Sequence, residues 1–108
     1  MKPYTLTTVS NANIEEFIKS LSNKFAFSDE YTNKFPFALK DHYHNDFESR
    51  LFIEGTGTFV IDGEELACGP GSYIEIKPNV VHSFNTQSDN LKVVRFFSTE
   101  NSWKATFL

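Results

Sequence analysis

Residues 49–72 read SRLFIEGTGTFVIDGEELACGPGS, and their pattern decides the fold class. Apolar and polar residues alternate in short runs, SRLFIEG then TFVI then EELA, each closed by glycine or another turn residue. A period of two belongs to a strand with one face buried. Asp62-Gly63 between TFVI and EELA is the strongest short hairpin signal, and CGPGS ends the strand that follows.

The pattern extends both ways. Upstream lies FPFAL at 35–39; downstream lie SYIEI at 72–76, VVHSF at 80–84 and LKVVRFF at 91–97, with Lys77-Pro78-Asn79 as punctuation. From Phe35 onward the chain reads as six or more short strands with close turns, an all-β sandwich or barrel. It is too short for alternating strands and crossover helices. One segment breaks the pattern. Ile14, Phe17, Ile18, Leu21 and Phe25 recur at helical spacing, which predicts a helix at about 14–24 with its apolar stripe on the sheet. Asn13 with Glu16 three residues on reads as a variant capping box.

The 108 residues make a single domain, with the helix preceding a β-barrel region at about 35–108. An aromatic share of 16%, including 12 Phe, suits a sandwich interior. The net charge of −4 and singly scattered Lys and Arg offer no grip for nucleic acid or an anionic membrane. MKPYTLTTVS lacks the apolar run of a secretory signal, no stretch is long enough to span a membrane, and the one cysteine, Cys68, has no internal partner. These features predict a cytoplasmic protein with Cys68 as a small buried residue.

Three histidines concentrate the chemistry. His42 and His44 stand at i and i+2 and so share a strand face, while Glu48 and Arg50 keep the same parity. Two imidazoles and a carboxylate can converge on one divalent cation, and His82 from a neighbouring strand would complete the set. The alternative is an exposed H-x-H with His82 unrelated. Arg50 would either pair with Glu48 or Asp46 or hold an anionic substrate with its planar donors. Arg95 sits in the apolar strand LKVVRFF, where a charge demands an internal ion pair or a functional partner.

These residues resemble the cupin superfamily, and more closely the acireductone dioxygenase family within it. H-x-H-x-D-x-E-x-R is carried by His42, His44, Asp46, Glu48 and Arg50; EGTGTF follows; Gly71, His82 and Phe84 come in order in GSYIEIKPNVVHSF; Arg95 and Trp103 close the pattern eight residues apart. The likeness covers about residues 35–105, and the portion before His42 is shorter than in the family. It implies a double-stranded β-helix, the cupin jelly-roll barrel, with His42, His44, Glu48 and His82 binding Fe(II) or Ni(II); Mn, Zn and Co suit the same donors. It also implies an anionic acireductone substrate and O2, cleaved to a keto acid and formate in the iron form. Arg50 and Arg95 would neutralise the enediolate, with Phe84 and Trp103 walling the pocket. The alternatives are another small cupin enzyme, an isomerase or dioxygenase on a different oxygenated acid, or a non-catalytic ligand-binding module. The aromatic C-terminus WKATFL suits either core packing or an edge-to-edge homodimer contact.

Overall fold

The computed structural model describes residues 2–108. In chain order the elements are β1 (Tyr4–Thr8), a 3-10 turn (Asn11–Asn13), α1 (Ile14–Lys24), β2 (Phe27–Asn33), β3 (Phe37–Tyr43), β4 (Glu48–Glu54), β5 (Gly57–Ile61), β6 (Glu64–Cys68), β7 (Ser72–Ile76), β8 (His82–Thr86), β9 (Leu91–Phe97) and β10 (Thr106–Phe107). They form two five-stranded antiparallel sheets, ordered β1-β7-β4-β9-β2 and β10-β3-β8-β5-β6. From β3 onward the chain repeatedly switches sheets, the double winding expected of a cupin jelly roll. The two sheets keep separate hydrogen-bond ladders, so of the two forms the alternation allows, sandwich or barrel, the molecule is a sandwich with open edges, within the cupin jelly-roll winding.

The turns hold as read. Asp62 and Gly63 both take positive φ, 52° and 77°, as a type I′ hairpin needs, and Ile61 pairs with Glu64 across it. Asn79 takes φ 63°, the left-handed conformation that Asn tolerates best after Gly, and its N–H donates to the His44 carbonyl at 2.8 Å.

Strand alternation creates two apolar layers. Phe52, Phe59, Ile61, Ile74, Ile76, Phe84 and Val93 fill the space between the sheets. On the other face of the first sheet, Leu51, Tyr73 and Phe96 meet Leu21 and Phe25, with Ile14, Phe17 and Ile18 packed alongside. Helix α1 thus covers that face at the predicted residues. Its start differs from the capping-box expectation: Asn13 makes no side-chain cap bond, and its backbone N–H closes the 3-10 turn onto the Ser10 carbonyl at 2.9 Å.

Two strands precede Phe35 that the sequence pattern leaves unread. β1 is YTLTT and β2 is FSDEYTN, both edge strands with mostly exposed side chains. An edge strand that faces water on much of its surface loses the apolar alternation that reveals a strand. β2 is defined by its pairing instead, running in register with β9 from Phe27↔Phe97 to Asn33↔Leu91.

Candidate metal centre

Four ligands arrive from both sheets. β3 and β8 place His42 directly opposite His82, and a register shift between Leu39 and His42 re-aims the end of β3. The connection 44–47 then carries the chain to the other sheet, so His44 lies in the crossing and Glu48 opens β4. One ligand atom from each of His42, His44, Glu48 and His82 lies within 4.8 Å of all the others. All four residues are buried.

The hydrogen bonds set the tautomers. Nδ1 of His42 contacts the Lys40 carbonyl at 2.7 Å, Nδ1 of His82 the Val80 carbonyl at 2.9 Å, and Nδ1 of His44 the Lys104 carbonyl at 3.0 Å. A carbonyl oxygen only accepts, so each Nδ1 carries the proton and each Nε2 keeps its lone pair for the site. Glu48 Oε1 lies 2.6 Å from Nε2 of His44 and 3.1 Å from Nε2 of His82. Acceptors this close need a proton or a cation between them. Three buried imidazole nitrogens and one carboxylate oxygen are the donor set that a divalent transition metal takes, so the residues fit that group.

The charges agree with this arrangement. Burial alone would raise the Glu48 carboxyl, but the Arg50 guanidinium and the His44 and His82 hydrogen bonds overcome it and hold Glu48 well below the usual carboxylate range. Burial opposes a proton on His82, yet Glu48 outweighs it and raises that imidazole. His42 is lowered, chiefly by burial.

A cavity of about 620 Å³ opens over the ligands, lined largely by rings, among them Tyr31, Phe37, Phe52, Phe59, Phe84 and Trp103. Its size suits a small organic ligand. Arg50 and Arg95 line it too. Arg50 is buried, with Nη1 donating to the Ser49 carbonyl at 3.1 Å and Nη2 3.8 Å from Glu48 Oε1. Arg95 pairs instead with Asp29 on β2.

His42, His44, Glu48, Arg50, Phe84, Arg95 and Trp103 therefore line this one cavity and His82 joins the ligand cluster, whereas Asp46 of the same motif instead accepts from the Phe47 N–H and the Ser98 hydroxyl. Phe84 is a buried wall; Trp103 stands at the mouth, half exposed. The residues that sequence reasoning missed are Asp29 and Tyr31, on the unread β2, and Lys104 and Phe107 near the C-terminus. The Phe107 ring centre lies 5.0 Å from that of His42, and β10 pairs Phe107 with His42. Neither Trp103 nor Phe107 is a core residue, at 51% and 54% exposure.

The ARD/ARD' family model matches residues 4–105 of the sequence. The chain belongs to the ARD/ARD' family. Among its relatives are the acireductone dioxygenases of Aquifex aeolicus, 32% identical over 90% of this chain and 66% of that protein, and of Bacillus subtilis, 34% identical over 78% and 49%. The Hydrogenobaculum enzyme is 36% identical over 73% of this chain and 44% of its own length. This family member thus spans about two fifths to two thirds of these curated relatives. Among solved structures, an acireductone dioxygenase from Bacillus anthracis with a cadmium ion in its active centre superposes with a TM-score of 0.71, covering 96% of this chain and 83% of that one at 18% identity. A DMSP lyase from Ruegeria pomeroyi gives 0.63 over 74% and 41% at 14% identity. At these identities the structures establish the cupin fold.

Proposed function

We propose that this ARD/ARD' chain is a metal-dependent dioxygenase that cleaves an acireductone-like enediolate with O2. The observation that carries the reading is the convergence of a buried three-His, one-Glu set and two arginines on one ring-lined cavity. The acireductone dioxygenases among its relatives support the choice of substrate.

His42, His44, Glu48 and His82 would hold Fe(II) or Ni(II), and Mn, Zn and Co accept the same donors. A metal held there would supply Lewis-acid and redox chemistry toward the substrate and dioxygen. Arg50 presents a permanent positive charge from a buried position, and Arg95 adds a second beside it on the same face. Together they favour the doubly ionised substrate over its neutral form and orient its anionic end. The walls formed by Phe84 and its neighbouring rings, with Trp103 at the mouth, limit water around that charge and strengthen each electrostatic contact. The overall change balances with O2 as the only oxidant: the enediolate carbon chain is broken to a keto acid and formate.

Metal analysis of the purified protein should find one transition metal per chain, lost in Glu48→Ala and in His44→Ala. The loaded protein, given an acireductone without oxygen and then oxygen, should consume it faster than the uncatalysed reaction, and Arg50→Ala should slow this about a hundredfold. Retention of metal in both ligand variants, or no acceleration with iron, nickel or manganese, would overturn the reading.

A further inference from the structure

Arg95 does not stand alone in the cavity. Across β4 and β9, Arg50 lies directly opposite Arg95, and across β9 and β2, Arg95 lies directly opposite Asp29. Directly opposite residues share a sheet face, so the three form one row on the cavity side. Like charges facing each other across strands destabilise a sheet, and this row ends on a carboxylate.

The pairing is bidentate. Arg95 Nε donates to Asp29 Oδ1 at 2.8 Å and Nη2 to Oδ2 at 2.5 Å. The guanidinium carbon lies 5.2 Å from the Tyr31 ring centre and 5.3 Å from that of Phe97, and Arg50 lies 5.3 Å from the same Phe97 ring. Asp29 keeps 47% of its side-chain exposure and Arg95 24%. An ion pair so open to solvent adds little to folding. What a planar fork supplies, supported by rings, is one plane and one reach for the guanidinium.

We propose that Asp29 is a positioning residue, its carboxylate fixing the plane of Arg95 so that the guanidinium meets the anionic substrate in one orientation beside Arg50. This rests on the enediolate reading above. The sign of its effect sets it apart from a structural role. Asp29→Asn removes a negative charge near the anion's seat, so ground-state attraction for an anion holds or rises. Orientation is lost, so turnover falls.

The test uses the full metal-loaded chain with two readouts. In steady-state kinetics with acireductone and O2, Asp29→Asn should lower kcat about tenfold with KM unchanged or lower, and with wild-type metal content. In an Arg95→Met background the same substitution should change kcat no further. Wild-type kcat in Asp29→Asn, or an undiminished fall in the Arg95→Met background, overturns the inference while leaving the dioxygenase reading intact. The second readout is oxalate binding by calorimetry, which needs no turnover. Asp29→Asn should tighten oxalate about fivefold more with Arg95 present than with Met there. Additive effects overturn the inference. A wild-type protein that ignores acireductone overturns the functional reading alone, and the oxalate arm still decides the role of Asp29.

Discussion

His82 shows how one side chain can report on the whole site. Its Nδ1–H is committed to the Val80 carbonyl, so only Nε2 is open to a metal, and in the metal-free chain Glu48 favours a proton there. Burial opposes that proton, but the carboxylate wins and raises His82 above the ordinary value of 6.5. A metal must displace the proton. Affinity should therefore climb with pH, by roughly tenfold per unit while His82 is still protonated, and level off above its raised value. Titration calorimetry in buffers of different ionisation enthalpy should detect the released proton; a flat affinity with no release across neutral pH would refute the assignment. For the metal-free fold the sign is opposite. The His82–Glu48 pair contributes fully below about 6.5, and its contribution fades as pH rises through the folded value of His82. His42, His44, Glu48 and His82 could be named as candidate ligands from residue type and the H-x-H spacing, but shared parity on one strand is not what gathers them: His44 lies in the crossing, Glu48 opens a strand of the other sheet, and His82 comes from β8. Asp29 was not legible, since nothing local distinguishes a carboxylate in FSDEYTN from any other solvated one.

Elements carry the next level of constraint. In β5, a Cβ built on Gly57 would lie 2.4 Å from Cζ and 2.5 Å from Cε1 of the Phe84 ring, closer than carbon atoms approach. Glycine there lets Phe84 stand as a cavity wall. Gly57→Ala should displace that ring and cost about 1–3 kcal/mol in denaturant unfolding. An unchanged unfolding midpoint would mean the ring is not held against β5. The helix, expected at about 14–24, runs Ile14–Lys24; its existence was legible because the apolar stripe at 3.6 spacing buries Leu21 and packs Ile14, Phe17 and Ile18 against the sheet. β1 and β2 were hidden because edge strands need pairing partners, not alternation, to exist, and their partners β7 and β9 lie far along the chain.

At the scale of the molecule, the candidate metal centre joins two sheets that share no backbone ladder. His42 and His82 belong to one sheet and Glu48 to the other. An ion held by these residues would tie the two sheets together and favour the folded state, where alone the four ligands converge. Metal at about a hundredfold excess over Kd adds about 2.7 kcal/mol of stability. For a domain of this size that raises the melting temperature by about 10 °C or more, reversibly on chelation. A melting curve indifferent to metal and chelator would argue against a native site. Cys68 gives an independent check of the interior. It is buried, and burial pushes its thiol up to about 11, so a thiol reagent at pH 8 should react slowly with the native chain and fast after denaturation.

The amino-acid sequence by itself determined the alternation, the turns at Asp62-Gly63 and Asn79, the helix, and the residue types of the candidate ligand set. These follow from local rules of period and backbone conformation. Tertiary structure alone decided that the sandwich stays open at its edges, that the backbone carbonyl of Lys104 orients the His44 imidazole, and that Asp29 meets Arg95. The Lys40 and Val80 carbonyls lie two residues from the imidazoles they hold, but the open edges, the Lys104 contact to His44 and the meeting of Asp29 with Arg95 depend on which segments, remote in sequence, come to lie side by side and in what register. Register is a property of the assembled sheets, and no single stretch of the chain contains it.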